Sequence, residues 1–291
     1  MAALKDIKRK VAAVQKTKQI TRAMNMVAAS KFRAAQARME SFRPYAMKFM
    51  EVLDSLALRV NPEAHPLLAA REPKKIRVLC MSSDRGLCGG FNTNLIKSSE
   101  RFVKEKMAAG LSVELTPVGR KSRDYFRRKY PIINEKTDIL GKFDINLAVE
   151  ISDDVITPFV NEEFDELYII YNEFRNVSMQ RPVVVRLLPL PSVGQEGEMD
   201  PDKTIDYVYE PSEEVLIEKL LSMYLHVLIF RALLETSAGE NGARMAAMDN
   251  ATRNCDEMIR TLTLQYNKVR QSAITAELMD IVGGTEALAK G

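Results

Sequence analysis

Of this 291-residue chain, the stretch Ser83-Asp-Arg-Gly-Leu-Cys-Gly-Gly-Phe-Asn92 has the residue types and spacing best suited to chemistry. It follows the apolar run Ile76-Arg-Val-Leu-Cys-Met-Ser82 and precedes a helical pattern, the position at which α/β folds cradle a phosphate. Its glycines are spaced G-x-x-G-G rather than G-x-G-x-x-G, and no Lys-Ser/Thr pair follows to make a Walker loop. The next strand pattern, Val113 to Val118, runs into Gly119-Arg120-Lys121, so no acid closes it as a ribose ligand would require. The spacing favours a tight strand-to-helix turn that needs positive φ and close backbone packing. In such a turn Asp84 and Arg85 form a local ion pair or a partner contact.

Other reactive types are sparse. Cys88 sits in the glycine loop, but nothing nearby in sequence supplies a base for a thiol nucleophile. Cys80, Cys88 and Cys255 form no CxxC pair and are odd in number, which fits a reducing compartment without disulfides or a zinc site. With only His65 and His226, a histidine-built metal site or triad has too few members. The pairs Asp153-Asp154 and Glu162-Glu163 lie beside predicted helix ends and read as caps and solvated charges. No catalytic, cofactor or metal residue is expected.

The elements around this loop are of two kinds. From Met1 to about Val60 a 4-3 spacing threads Leu4, Ile7, Val11, Val14, Lys18, Thr21, Asn25, Ala28, Phe32, Ala35, Met39, Phe42, Ala46, Phe49, Leu53, Leu56 and Val60. Sustained over that length, it predicts a coiled-coil helix, kinked or split at Pro44. From Leu216 to Met279 the same spacing recurs. Ser212 serves as its N-cap, with Glu213 and Glu214 in the first turn, and Gly283-Gly284 is its stop. A helix from about 213 to 282 would be roughly 100 Å long, the dimension of a rod rather than of a small domain. Between them, about 74–210, the period changes. Strands are predicted at 76–82, 113–118, 167–171 and 183–188, and helices at 92–107, 121–130 and 144–161. This alternation predicts an α/β layer with a partly parallel sheet. Leu190 to Asp202, rich in Pro, Gly and acids, reads as a loop back to the rod.

Charge is uneven. The chain carries +3 overall, yet residues 1–43 hold eleven Lys/Arg against Asp6 and Glu40. A basic arm on a nearly neutral chain calls for an acidic partner surface. Its charges surround an apolar seam, which favours an acidic protein over nucleic acid and leaves no free apolar face for a membrane. No apolar run looks long enough to span a bilayer, and the start lacks a secretory core. It resembles a transit peptide in being basic and amphipathic, but the helical pattern continues past residue 40 without a cleavage-like break.

Three stretches carry a resemblance: Ile20-Thr-Arg-Ala-Met-Asn-Met-Val-Ala-Ala-Ser-Lys31, Ser83-Asp-Arg-Gly-Leu-Cys-Gly-Gly90, and Tyr266-Asn-Lys-Val-Arg-Gln-Ser-Ala-Ile-Thr-Ala-Glu-Leu278. With the order of elements, they resemble the γ subunits of F-type ATP synthases over essentially the whole chain. The resemblance implies a fold of class α/β: a long antiparallel coiled coil of N- and C-terminal helices, 1–60 and 212–285, forming one rod that carries an inserted Rossmann-like α/β domain, 74–210. It implies a non-catalytic central-stalk rotor of a proton-translocating ATP synthase. Such a rotor couples c-ring rotation to ATP synthesis or hydrolysis on the α/β hexamer and regulates its activity. The implied partners are the α and β subunits, the ε subunit and the membrane c ring, with one copy per complex and no nucleic acid. The implied place is the cytoplasmic face of a bacterial inner membrane, as a peripheral protein. Carried over residue by residue, Met24 and Arg244 face an acidic lever loop of β, and Gln271, Thr275 and Glu277 touch the ring. Tyr207, Tyr209 and Glu210 lie on the c-ring and ε side.

The polar interruptions of the two seams suggest a register. Matching Lys18 with Arg244 and Asn25 with Ser237 makes paired residue numbers sum to about 262, because opposed polar groups can satisfy one another. Setting Met24 beside Arg244 gives about 268. Leu4 then falls near 258–264, and the C-terminal helix continues alone for about 27 residues, roughly 40 Å. Val269, Ala273, Ile274, Leu278 and Ile281 remain apolar there and require a sheath.

Overall fold

The computed structural model describes residues 2–57, 65–141, 143–190 and 213–289. Two long helices, α1 (Ala2–Ala57) and α5 (Glu213–Ala289), enclose in sequence an α/β body. The body comprises β1 (Lys75–Met81), α2 (Phe91–Ala108), β2 (Ser112–Val118), α3 (Arg120–Phe126), α4 (Ile145–Val160), β3 (Glu166–Asn176) and β4 (Met179–Leu188). The chain divides into two compact units, one of residues 1–28 with 245–291 and one of residues 29–244. The division cuts both long helices rather than falling where the helices give way to the body.

The body is the mixed α/β layer expected. Its sheet has the order β2-β1-β3-β4, with β1 parallel to both β2 and β3 and β4 antiparallel to β3. Strand alternation sorts β1 onto two faces. Ile76, Val78 and Cys80 join Leu95, Val103 and Phe126 in one core. Leu79 and Met81 join α4 and the α5 residues Leu225, Ile229 and Leu233 in the other. Arg77 also points to this second face and is buried. It pairs with Glu114 on the neighbouring strand at 3.0 Å, with its guanidinium over the Phe164 ring.

Within each unit α1 and α5 pair antiparallel. In the first, Lys18 Nζ meets Asp256 at 2.5 Å, the Thr21 and Thr252 hydroxyls hydrogen-bond at 2.8 Å, and the Asn25 amide donates to the Met245 carbonyl at 2.8 Å. In the second, Phe42 and Phe230 pack edge to face at 4.8 Å. Paired numbers therefore sum to about 270–274, beyond both values the polar matching suggested. Asn25 meets residue 245, not Ser237, and Lys18 meets Asp256, not Arg244. The C-terminal interruptions do not face those of α1. Asn241 donates to the Ser237 carbonyl, and Arg244 turns to the body. Leu4 falls near residue 268, so the lone end of α5 is about 21 residues long, roughly 30 Å.

Four further expectations change. The α1 helix is not split at Pro44, because the one lost donor is outweighed by packing of Ala46 and Phe49 in the core. The α5 helix does not stop at Gly283-Gly284 but reaches Ala289. Glycine costs a helix only about 1 kcal/mol relative to alanine and does not forbid it. Of the acid pairs, Asp153, Glu162 and Glu163 are exposed, as solvated charges are, whereas Asp154 is half-buried and holds Asn134 and Lys136. Lastly, α5 contains a window apolar and long enough to cross a membrane by composition, but 61% of it is buried, as in the core helix of a soluble protein. Ser212, the expected N-cap, lies outside the described residues.

The glycine loop, the helix pair and their relatives

The loop after β1 closes on itself and on α5. The Ser83 hydroxyl donates to the Arg85 carbonyl at 2.6 Å. The Asn92 amide donates to Ser83 Oγ at 2.8 Å and to Cys88 Sγ at 3.1 Å, while its oxygen accepts from Ser83 N–H at 2.9 Å. Asp84 forms no ion pair with Arg85. Its carboxylate accepts the backbone N–H groups of Arg120 at 3.0 Å and Asp138 at 2.8 Å, tying the loop to the segment after β2. Positive φ occurs at Gly89 (57°) and also at Leu87 (62°). Gly119 is a stricter case: its φ is 103°, and a Cβ there would lie 2.1 Å from the Ser82 carbonyl oxygen.

This geometry makes a structural turn. The hydroxyl, amide and carbonyl groups that could address a phosphate are paired with each other. The Gly86 carbonyl accepts from Arg244 Nη2 at 3.2 Å and Nε at 3.4 Å. Burial pushes the Cys88 thiol above its ordinary value, more than the nearby Arg244 charge lowers it. A protonated, buried thiol is a poor nucleophile. Cys80 is pushed up to about 12 by burial. Among the described residues no cluster of three or more His, Cys, Asp or Glu could hold a metal ion.

The expected contact residues are placed as follows. Met24, in the first unit, is half-buried. Gln271, Thr275 and Glu277 are exposed on the lone end of α5. The Thr275 hydroxyl donates to the Gln271 carbonyl at 2.9 Å, so these two share a face, whereas Glu277 lies about 240° round the helix from Gln271. Arg244, in the second unit, has a side chain 13% exposed, paired with Glu240 at 2.6 Å. Tyr207, Tyr209 and Glu210 lie outside the described residues. Sequence reasoning missed Glu240, and it missed that Gly239 lets α5 approach the body and Gly242 lets it approach α1. A Cβ on Gly239 would meet Phe91 at 3.0 Å, and one on Gly242 would meet Phe32 at 3.4 Å. The available signal was a pair of glycines three apart inside an otherwise strong helical pattern.

The lone end of α5 is apolar on its surface. Ile274, Leu278, Met279, Ile281 and Val282 are between 49% and 67% exposed, more than isolated surface apolar residues require.

Comparison with known proteins gives the family and supports the fold. Residues 3–288 match the family model described as ATP synthase. The ATP synthase gamma chain of Syntrophus aciditrophicus is 80% identical over 291 residues, covering all of both chains. That of Syntrophobacter fumaroxidans is 49% identical, again over the whole of both. Among solved structures, a chain of the central stalk and c ring of the Tetrahymena thermophila mitochondrial ATP synthase superposes with a TM-score of 0.61. It is 27% identical and covers 80% of this chain and 99% of its own. A chain of the Euglena gracilis mitochondrial ATP synthase has a TM-score of 0.69 at 19% identity, over 99% of this chain and 95% of its own, and supports the fold. With full-length identity of this order, the chain belongs to the γ-chain family of ATP synthases.

Proposed function

We propose that this chain is the central-stalk rotor of a bacterial F-type ATP synthase, a subunit that performs no catalysis itself and shapes the catalytic sites carried by others. The observation that carries the reading is the end of α5 beyond about residue 268. It is a helix without a helical partner, with exposed apolar side chains from Ile274 to Val282. Covering such a surface removes apolar area from water and is favourable, so it suits a collar. A collar of mainly small and apolar contacts lets the helix turn inside it.

In this reading the collar is the ring of α and β subunits, touched by Met24, Arg244, Gln271, Thr275 and Glu277. Residues 1–60 and 212–285 act as one shaft, and residues 74–210 form the body it carries. The foot, including Tyr207, Tyr209 and Glu210, meets the c ring and the ε subunit, one copy per complex, at the cytoplasmic face of the inner membrane. The exposed basic residues of α1, from Lys5 to Arg43, supply charge for acidic surfaces on the ring.

The test uses the assembled complex. Leu278→Asp combined with Ile281→Asp should leave α and β co-purifying with the chain while ATP-driven proton pumping falls by about tenfold or more, since each buried carboxylate carries a desolvation cost of several kcal/mol. Unchanged pumping would remove the collar reading. A rival reading, a nucleotide-binding enzyme built on the body, requires saturable ATP binding by the chain in calorimetry. The internally paired glycine loop predicts none.

A further inference from the structure

Strand β3 outruns its neighbour. β1 pairs with it only from Glu166 to Ile170, whereas β3 continues to Asn176 with only β4 beside it among the described strands. Residues 171–181 therefore form a two-stranded arm beyond the four-stranded sheet. Two strands alone are marginal in water, and the edge of β3 that β1 leaves open carries backbone groups in need of partners. Pro182, opposite Asn172, has no N–H to give, so this pair is one without mutual hydrogen bonds. Phe174 is two residues on and has the same phase, which turns its N–H away from β4 to the open edge.

Helix α5 supplies the acceptor there. The Phe174 N–H donates to Glu235 Oε2 at 3.3 Å, and Arg231 Nε donates to the other carboxylate oxygen at 2.8 Å. The Glu235 side chain is 8% exposed and that of Arg231 54%, so the buried acid is balanced from the solvent side. Other contacts bring the arm close without hydrogen bonds. The Phe174 ring centroid lies 5.7 Å from that of Phe32 on α1, and the Val177 Cα would lie 3.6 Å from a Cβ on Gly242 of α5. The remaining side-chain hydrogen bonds from Phe174 to Gln180 stay within the arm. Among the described residues, the bond to Glu235 is the one that joins the arm's tip to a long helix.

We propose that Glu235 is a positioning residue: through the Phe174 N–H it docks the β3–β4 arm onto α5 and so holds Phe174 against Phe32 of α1. Apolar packing brings the arm to the helices, and the carboxylate fixes its orientation, because a hydrogen bond is directional and apolar contact is not. In the rotor reading a docked arm helps body and shaft turn as one piece, but the docking is measured without relying on that reading.

Hydrogen exchange of the full chain, with Cys255→Ser as background, reads it directly. Glu235→Leu should speed exchange of the Phe174 amide by about tenfold, with its neighbours to Gln180 following, while β1 amides from Val78 to Cys80 keep their rates. Glu235→Gln keeps an acceptor and should change the rate by about threefold or less. A disulfide between Val177→Cys and Gly242→Cys should return the arm of the Glu235→Leu chain towards native protection, and dithiothreitol should undo the rescue. In a double-mutant cycle, Glu235→Leu and Phe32→Ala should destabilise less together than the sum of the two alone, since both act on the seat of Phe174. Unchanged Phe174 exchange in Glu235→Leu overturns the proposal, as does strict additivity in the cycle. If β1 amides speed up as well, the disulfide decides: an arm that stays unprotected when bridged overturns the proposal. A cysteine pair that fails to close in the chain that keeps Glu235 does the same, because the arm then does not sit on α5.

Discussion

Helices α1 and α5 pair in both compact units, but with different chemistry. In the first unit the contacts are polar or small: Thr21 with Thr252, Lys18 with Asp256, Asn25 with a carbonyl, and Ile7, Ala28 and Met248 as the buried apolar residues among those described. In the second unit Phe42 meets Phe230, and Leu225, Ile229 and Leu233 are completely buried between α1, α4 and the sheet. A two-helix pair can bury only a narrow seam, because each helix has one neighbour and keeps most of its circumference in water. Where the body adds further neighbours, the same α5 becomes a core helix. Stability should therefore be concentrated in the second unit and adaptability in the first.

The largest expected effect breaks the core side of that comparison. Leu225→Ala, at a position 0% exposed, should cost about 2–5 kcal/mol through lost burial and a residual cavity. Met258→Ala in the first unit, at a position 52% exposed, should stay within about 0.5 kcal/mol. Denaturant midpoints of the two variants measure the contrast, and equal shifts would erase it.

Gly239→Val probes how closely α5 approaches the body. Its first added carbon would meet Phe91 at 3.0 Å and Gln180 at 3.3 Å, so overpacking should cost about 1–3 kcal/mol despite valine's better helix propensity. A gain in thermal stability would mean that the junction gives way more easily than these distances imply.

Smaller effects sharpen the polar side. Thr21→Val alone leaves the Thr252 hydroxyl its bond to the Met248 carbonyl at 2.8 Å, so the loss should be about 0.5–1.5 kcal/mol. In a double-mutant cycle, Thr252→Val added to it should cost less than the two single changes together. The same pair fixes the register. Cysteines at 21 and 252 should form a disulfide readily, and cysteines at 25 and 237 should not.

The smallest effect is a pH dependence confined to the second unit. Burial lowers the pKa of His226, with Asp153 opposing, and its Nε2 lacks a hydrogen-bond partner. The folded chain thus binds fewer protons at this site than the unfolded chain. The contribution is complete above the ordinary histidine value near 6.5 and is lost as pH falls through the lower folded pKa. Stability measured from pH 7.5 down to pH 5 should decline less steeply in His226→Gln than in the native chain.

The sequence by itself determined the elements. Local periodicity, strand alternation and glycine spacing are short-range properties, and the four strands and the helices after β1 and β2 fall within a few residues of their patterns. Glycines 283 and 284 misled because a breaker lowers helix stability without setting where it ends. Asp84 was legible as important but not as the acceptor of two backbone N–H groups from a segment more than thirty residues away. The register of α1 on α5 was decided only by tertiary structure. Polar residues in a seam announce that they need partners without saying which. Lys18 and Thr21 found theirs on α5, whereas Arg244 found its partners in Glu240 and in a loop of the body. An apolar heptad repeats every seven residues and fits many offsets almost equally well. Phe32 of α1, whose ring a Cβ on Gly242 of α5 would meet at 3.4 Å, adds a constraint of shape that the repeat by itself lacks.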